Sequence, residues 1–234
     1  MKDAIVIYFM GMDGSGKSTL SSYLYNELEV RSYNVERVWW LEYENSVLRR
    51  LLRRLGRTTV LRSGQRTNDS KSFGRRTDRL TLKLFRALYP RLVLFDYMLF
   101  GLRKVWIPKK TGKKKILIFD RYIYDVISSL SREFGYAEPT RVALFRWFRK
   151  VLPVPDKIFL IDIPPEIAFA RKKEEFRSMK NAQALWEFHQ DLFRLVDRLV
   201  PGRSVIIDNT GDIESIKKEI LEDALSLVDG EGSQ

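Results

Sequence analysis

A run of nine residues near the start of the chain combines glycines, a lysine and three hydroxyl side chains: Gly11-Met12-Asp13-Gly14-Ser15-Gly16-Lys17-Ser18-Thr19. It fits the phosphate-loop pattern of a glycine, four variable residues and then Gly-Lys-Ser/Thr. Glycines let the backbone turn its N–H groups toward a phosphate, and the lysine adds a mobile positive charge. The Ser18 hydroxyl is placed to bind Mg²⁺. The run therefore predicts a nucleoside triphosphate site that uses Mg²⁺.

The segments on either side of this run are those that a phosphate loop requires. Residues 4–9 are apolar and partly β-branched, which is typical of a buried strand. Leu20, Leu24 and Leu28 recur at helical spacing, so we expect a helix from about Lys17. The N–H groups and the dipole at a helix N-terminus favour a bound phosphate. The alternative, a glycine-rich turn that matches by chance, does not require these flanks.

A second apolar run ends in a carboxylate and an arginine. Residues 116–119 read as a buried parallel strand, and Asp120, Arg121 and Tyr122 follow it. A carboxylate at such a strand end holds Mg²⁺ in phosphate-loop proteins, usually through water, although it can instead cap the next helix. The guanidinium of Arg121 would lie at the carboxyl edge of the sheet, where ligands bind, and its fork suits an acceptor phosphate.

The whole chain alternates strands and helices, which predicts an α/β fold with a parallel sheet covered on both faces. Further strands are expected at 34–40, 155–162 and 204–208, and further helices at 122–130, 139–152, 185–200 and 213–228. Residues 78–106 are expected to form two helices separated at Pro90. We interpret 1–229 as one domain and 230–234 as a frayed tail.

Two basic segments have open interpretations. Arg49 to Arg54 would lie on a leucine-bearing helix, and 56–76 reads as a long mobile loop that either closes over a phosphorylated ligand or is a solvated excursion. Residues 171–177 include six charged side chains, four basic and two acidic, at a predicted helix end. They are either a salt-bridged helix surface or part of a lid over the transferring phosphate.

Composition restricts the chemistry. The 234 residues include no cysteine and one histidine, His189, so disulfides, zinc–thiolate sites and thiol nucleophiles are excluded. No segment has the roughly 18 apolar residues of a membrane span, and we expect a cytoplasmic protein. The net charge of +12 favours polyanionic ligands. We expect these ligands to be nucleotides, and we do not expect nucleic acid as a partner.

Three runs together resemble the thymidylate kinase family. They are residues 8–19, the Phe119-Asp120-Arg121-Tyr122 run, and Pro155-Asp156 with the later Leu160-Ile161-Asp162-Ile163-Pro164-Pro165-Glu166. The resemblance implies the nucleoside monophosphate kinase type of P-loop fold, with a five-stranded parallel sheet, a lid and a homodimer. It also implies an enzyme of nucleotide biosynthesis, a transferase that moves the γ-phosphoryl group of ATP to dTMP or a related monophosphate.

The resemblance assigns roles by position. Lys17 and the amides of the loop at 11–19 would hold ATP, while Ser18 and Asp120 would serve Mg²⁺. Arg121 and Tyr122 would bind the acceptor phosphate, and Asp13 would face the acceptor sugar. Because Gly14 stands where some members carry an arginine, a lid at 171–181 should supply the missing cation, from Arg171 or Arg177.

The chain also departs from the family. Met10 stands where a glutamate is usual, and the arginine that reads thymine falls near Asp96 or Tyr97. Losing a bidentate base contact removes discrimination between acceptors. Two other functions therefore stay open at this point: a divergent kinase with a non-nucleotide acceptor, and an ATP-dependent nucleic-acid-binding protein that uses residues 49–79. Arg76, Arg79 and Arg103 are candidates to replace the missing base contact.

Overall fold

A five-stranded parallel sheet forms the centre of the molecule. The computed structural model describes residues 4–38, 91–92, 94–101, 115–134, 138–152 and 154–230. The strands are β1 (Ala4–Met10), β2 (Val35–Val38), β3 (Lys115–Phe119), β4 (Lys157–Asp162) and β5 (Ser204–Asp208). Their order across the sheet is β2-β3-β1-β4-β5, and every pairing is parallel. The predicted fold class is thereby confirmed.

The strand that leads into the phosphate loop is the central one. β1 pairs with β3 on one side, where Tyr8 is level with Phe119, and with β4 on the other, where Met10 is level with Leu160. All its residues are buried, as its unbroken apolar run predicted. Because parallel strands end at the same edge, this register brings the phosphate loop beside the Asp120–Arg121 turn.

Helices cover both faces of the sheet. They are α1 (Lys17–Val30), α2 (Ile123–Phe134), α3 (Glu138–Val151), α4 (Pro165–Arg171), α5 (Met179–Leu199) and α6 (Ile213–Gly230). Residues 94–101 are also helical, and a 3₁₀ turn lies at Lys173–Glu175.

Alternate residues of β1 enter two different cores. Ile5, Ile7 and Phe9 pack with the leucines of α1 and with the apolar face of α6. Tyr8 and Met10 face the other layer, made by α2, α3, α5 and the helical residues 94–101. This period of two is the geometry of a strand buried on both faces.

Most differences from the predicted elements are at their ends. Helix α5 begins at Met179 rather than near residue 185, because the Ser178 side chain accepts a hydrogen bond from the Asn181 amide and caps the helix. Strand β2 is described at Val35–Val38. The predicted tail was 230–234, but Gly230 is the last residue of α6, and 231–234 lie outside the described residues. Also outside them are the predicted helix with Arg49 to Arg54, the loop at 56–76, Arg76, Arg79, Pro90 and Arg103.

The predicted lid at 171–181 covers the end of α4, the 3₁₀ turn and the first residues of α5. A small core that contains Met12, Ile163, Ala168 and Phe176 packs this segment against the phosphate loop. Among the described helices, none has the length and apolar character needed to cross a membrane. The interpretation of 1–229 as one domain stays a prediction.

Candidate active site

The phosphate loop turns into α1 at a glycine that has left-handed backbone geometry. Gly16 is the residue before α1, with φ of 92°. A Cβ atom there would lie 2.5 Å from Asn209 Nδ2, so only glycine fits both the angle and the space. Asn209 Nδ2 in turn donates to the Ser15 backbone carbonyl at 2.7 Å. The end of β5 therefore supports the loop from below.

Gly14 lies directly against α4, the helix that leads into the predicted lid. Its φ is +84°, and a Cβ atom would meet the Ala168 carbonyl oxygen of α4 at 3.0 Å. A larger side chain would strain the backbone and push α4 away. The close approach of α4 thus gives a physical reason for glycine at this position.

Lys17 is the cation at the centre of the loop. Its side chain is buried, and Nζ donates to the Met12 carbonyl at 2.6 Å. Burial lowers the pKa of Lys17 to about 8, against the opposing effect of Asp13 and of the carboxylates of Asp125 and Asp120. At neutral pH the ammonium is still mainly protonated, as phosphate binding requires.

An ion pair joins the phosphate loop to the turn after β3. Arg121 Nη2 lies 2.9 Å from Asp13 Oδ1, and both side chains are partly exposed. Burial favours the neutral form of Asp13, but Arg121 and Lys17 hold its pKa below the ordinary value. Asp13 of the phosphate loop and Arg121, which is predicted to bind the acceptor phosphate, are therefore in direct contact.

Asp120 has protein partners that the sequence interpretation did not include. Its carboxylate accepts hydrogen bonds from the Ser21 hydroxyl of α1 and from Arg37 Nη2 at the end of β2, the latter at 2.6 Å. Arg37 also donates to the Ser18 carbonyl at 3.0 Å and to the Ser22 hydroxyl. The position of Arg37 was the signal that could have indicated its role, because it lies near the carboxyl end of β2, which neighbours β3.

A cavity of about 870 Å³ opens above the loop. It is lined by residues of the phosphate loop, the β3 turn, the lid and the loop after β5, namely Asp13, Gly14, Gly16, Lys17, Ser18, Thr19, Asp120, Arg121, Arg171, Lys172, Glu175, Asn209, Gly211 and Ile213. The lining therefore combines four cationic side chains with three carboxylates, and Ile213 adds an apolar surface.

The lid residues are not equivalent. Arg171 lines the cavity, and its Nη2 lies 3.4 Å from the Asn209 carbonyl oxygen. Arg177 is exposed and is not among the lining residues. Lys172 and Glu175 do line it, and both were missed because a charged run has no period that singles out individual residues.

Tyr122 lies beneath the cleft rather than in it. Its ring is buried and packs edge-on against Phe119, with centroids 4.9 Å apart. Burial raises the pKa of the Tyr122 hydroxyl well above its usual value. The motif placed Tyr122 beside Arg121 along the chain, but successive residues point in different directions.

The carboxyl ends of β4 and β5 hold α5 in place. Asp162 Oδ1 accepts hydrogen bonds from Trp186 Nε1 at 3.0 Å and from Gln190 Nε2 at 2.8 Å. The Asn209 backbone N–H donates to the Asp162 backbone carbonyl at 2.9 Å and connects the ends of β4 and β5. On the same helix, His189 is near enough to help lower the pKa of Asp13.

The positions at which the chain departs from its family are buried. Met10 is fully enclosed in the core, so this position supplies no polar group to the cleft. Asp96 and Tyr97 are also buried, and neither is among the cavity-lining residues. A replacement for the base-reading arginine is therefore not found at these two positions.

The donor set of the cavity fits a magnesium ion that is held mainly by phosphate and water. Within the described ranges, no group of three or more His, Cys, Asp or Glu side chains is arranged to hold a metal. Ser18 is exposed at the cavity beside Lys17, and Asp120 lies at its edge with donors already bound. Hard oxygen donors of this kind suit Mg²⁺, which keeps several waters.

A phosphate loop after the central strand, the β2-β3-β1-β4-β5 order and helices on both faces define a P-loop kinase of the nucleoside monophosphate kinase type.

Comparison with known proteins narrows this class. The family model described as thymidylate kinase matches residues 93–220, more than half of the chain. A curated thymidylate kinase from Fervidobacterium nodosum is 26% identical over 219 residues, covering 92% of this chain and 95% of that protein. The chain belongs to the thymidylate kinase family, and it is a thymidylate kinase-like, ATP-dependent phosphotransferase. The predicted family and enzyme class are confirmed.

Proposed function

We propose that the enzyme transfers the γ-phosphoryl group of ATP to dTMP or a related nucleoside monophosphate, with Mg²⁺. The observation that carries the proposal is the ion pair between Asp13 and Arg121. It connects a phosphate loop, which binds the donor, to an arginine whose fork suits a second phosphate.

The described residues supply the electrostatic parts of phosphoryl transfer. Lys17 would neutralise charge on the donor phosphates, and Arg121 would hold the acceptor phosphate in line with them. Asp13 holds the guanidinium of Arg121 in position and is exposed enough to accept a hydrogen bond from an acceptor sugar hydroxyl. Such preorganised charge acts without rearrangement during the reaction.

Ser18 would bind Mg²⁺ directly, and Asp120 would act through water because Ser21 and Arg37 already donate to its carboxylate. When bound with ATP, the ion would neutralise charge on the β- and γ-phosphates.

The lid would complete the cation set. Arg171 faces the cavity above the loop, while Gly14 below it has no side chain to offer. Closure of a basic lid excludes water, which would otherwise compete as the acceptor. Arg171 is thus the proposed lid cation, in preference to Arg177.

The test is ADP release with ATP and Mg²⁺ against a panel of acceptors: dTMP, dUMP, CMP, UMP, GMP, AMP, a pool of phosphorylated metabolites, and none. We expect a rate that depends on dTMP or a related monophosphate. Lys17→Ala should abolish the rate, which excludes a contaminating kinase. Lys218→Ala, which changes an exposed lysine on α6, is the matched control and should retain the rate.

Other outcomes change the assignment. A rate only with the metabolite pool would replace the nucleotide acceptor with another phosphorylated compound. Equal ADP release with and without every acceptor would overturn the proposal. We further propose that the enzyme works in the cytoplasm, and that it forms a homodimer, as the family resemblance implies.

A further inference from the structure

A buried carboxylate lies one helical turn beyond Arg121 and is absent from the roles assigned so far. Asp125 is in the first turn of α2, and its Oδ2 atom accepts two hydrogen bonds. One comes from the Tyr8 hydroxyl at 2.5 Å, and the other from the Tyr122 backbone amide at 2.9 Å. An ionised carboxylate is costly to bury, so a place for it here needs a reason.

The two donors belong to the two halves of the proposed active site. Tyr8 is on β1, the strand that runs directly into the phosphate loop. Tyr122 is the residue after Arg121, so its amide fixes the backbone from which the Arg121 side chain extends. Asp13 holds the other end of Arg121, at the guanidinium. One carboxylate therefore restrains the base of the Arg121 side chain and another restrains its tip.

We propose that Asp125 is a positioning residue: its carboxylate, through Tyr8 and the Tyr122 amide, holds the Arg121 turn in register with the phosphate loop. The inference rests on the proposed function in taking Arg121 as the ligand of the acceptor phosphate. The Tyr8–Asp125 hydrogen bond thus joins the ATP-binding half to the acceptor-binding half beneath the cleft.

The surroundings of the pair support this role. The Tyr8 ring lies 5.9 Å from Tyr122 and 6.0 Å from Tyr124, centroid to centroid, and all three are buried. Packed rings of this kind prevent the hydroxyl from moving away from the carboxylate. Arg121 and Lys17 are the cations whose charges act on Asp125, so its charge also contributes to the potential at both.

A purely structural interpretation is that Asp125 only caps α2. Its bond back to the Tyr122 amide has the form of a capping-box contact from the third helical residue. That interpretation explains the Tyr122 amide bond, but it does not require the buried Tyr8 hydroxyl. It predicts that substitutions change stability and leave the kinetic constants of the folded enzyme alone.

The two interpretations are separated by Tyr8→Phe, Asp125→Asn and the double variant. A second tyrosine–aspartate bond provides matched controls: Tyr33 donates to Asp229 at 2.9 Å, at the exposed end of α6. Tyr33→Phe and Asp229→Asn remove the same groups away from the cleft. Because hydrogen bonds to charged groups are the strong ones, we expect each cleft variant to lower kcat/KM for the acceptor about tenfold or more.

The double variant should lose less than the product of the two single losses, because both changes break the same link. The Tyr33→Phe and Asp229→Asn controls should stay within about twofold of the parent, as expected for surface changes.

A pH profile adds a signature that a structural role would not produce. Burial raises the pKa of Asp125, while Arg121, the Tyr8 hydroxyl, the Tyr122 amide and Lys17 act to lower it. Tyr97 is a further titratable neighbour of the pair, and its electrostatic effect helps to raise the pKa of the Tyr8 hydroxyl. Removing the Tyr8 hydroxyl should raise the pKa of Asp125 further, so the acid limb of acceptor kcat/KM should move to higher pH. Asp125→Asn should lose this limb, and Tyr33→Phe should keep it.

A substrate-independent measurement keeps this inference separate from the proposed function. The Nε–H resonance of Arg121, assigned by its disappearance in Arg121→Lys, should be slowly exchanging in the parent and broadened in Tyr8→Phe. If no acceptor supports turnover by the parent, the proposed function fails, and the resonance still tests the link. Unchanged acceptor kinetics and an unchanged resonance in folded Tyr8→Phe would overturn the inference, whether or not Asp125→Asn folds.

Discussion

Arg37 Nη2 lies 2.6 Å from Asp120 Oδ2, and the two side chains are only 8% and 9% exposed. The pair connects the edge strand β2 to the carboxylate that the phosphate-loop pattern assigns to Mg²⁺. Arg37 also bonds the Ser18 carbonyl at the start of α1. The Arg37 guanidinium therefore connects β2, the start of α1 and the turn after β3 on the side of the cleft that is assigned to Mg²⁺.

Removing Arg37 should strongly destabilise the fold. Arg37→Met leaves the Asp120 carboxylate buried without its cation, and breaking a buried pair in this way costs about 3–5 kcal/mol. Denaturant unfolding should show this loss, and Arg37→Met/Asp120→Asn should recover part of it. Arg194→Met, which breaks an exposed pair with Asp191 on α5, is the control and should have little effect. A small change in Arg37→Met would show that the pair is not formed in solution.

Arg121 should act mainly on the acceptor. Arg121→Ala removes a charge-assisted contact to the acceptor phosphate, which should raise the acceptor KM about tenfold or more. The ATP KM should change much less, because Lys17 and the loop amides stay in place. Steady-state kinetics with each substrate varied in turn would measure both constants, and Arg194→Ala would serve as the control. A normal acceptor KM in Arg121→Ala would contradict the assignment.

The two lid arginines should differ. Arg171 lines the cavity and approaches the Asn209 carbonyl oxygen at 3.4 Å, whereas Arg177 is exposed outside the lining. We expect Arg171→Ala to lower kcat about 100-fold, since loss of a transition-state cation or donor costs about 10²–10³ in rate. Arg177→Ala should stay close to the parent. The reverse order of effects would show that the lid rearranges when substrates bind.

Asp125 should make the stability of the fold depend on pH in a particular direction. Burial raises its pKa, so the carboxyl binds its proton more tightly in the folded state than in the unfolded chain. Its contribution to stability is fully present below the pKa of the unfolded chain and is lost as the pH rises through the folded value. The Tm of Asp125→Asn, relative to the parent, should therefore improve as the pH is raised from about 4 toward neutral. A constant Tm difference across this range would mean that Asp125 does not titrate.

Contiguous motifs were the part of the site that sequence could predict. The loop at 11–19 and the Asp120–Arg121 pair are local patterns whose chemistry depends on adjacent residues, and the structure has them at one edge of the sheet. The parallel α/β order followed from apolar runs that alternate with helical spacing. Both depend on short-range signals.

The supporting residues could not be predicted in the same way. Arg37, Asp125 and Asn209 act on the site from segments that are distant along the chain. Arg37 and Asp125 are polar residues in a predicted strand and a predicted helix, and Asn209 lies in the turn after β5. Their common signal is position, since all three lie near the carboxyl ends of strands or in the first turn after them. Tyr122 shows a limit of adjacency, because it follows Arg121 along the chain and yet its ring is buried. Its contact with the acceptor phosphate stays a prediction.

The hydrogen bond from Asn209 to the Ser15 carbonyl joins residues 194 positions apart. Synthesis on the ribosome proceeds from the N-terminus, so the phosphate loop is translated long before the residue that supports it. A nascent chain that has not reached residue 209 holds the complete loop sequence but lacks this support, and it also lacks α6. Nucleotide binding should consequently be acquired only after residue 209 has been translated and has emerged from the ribosome.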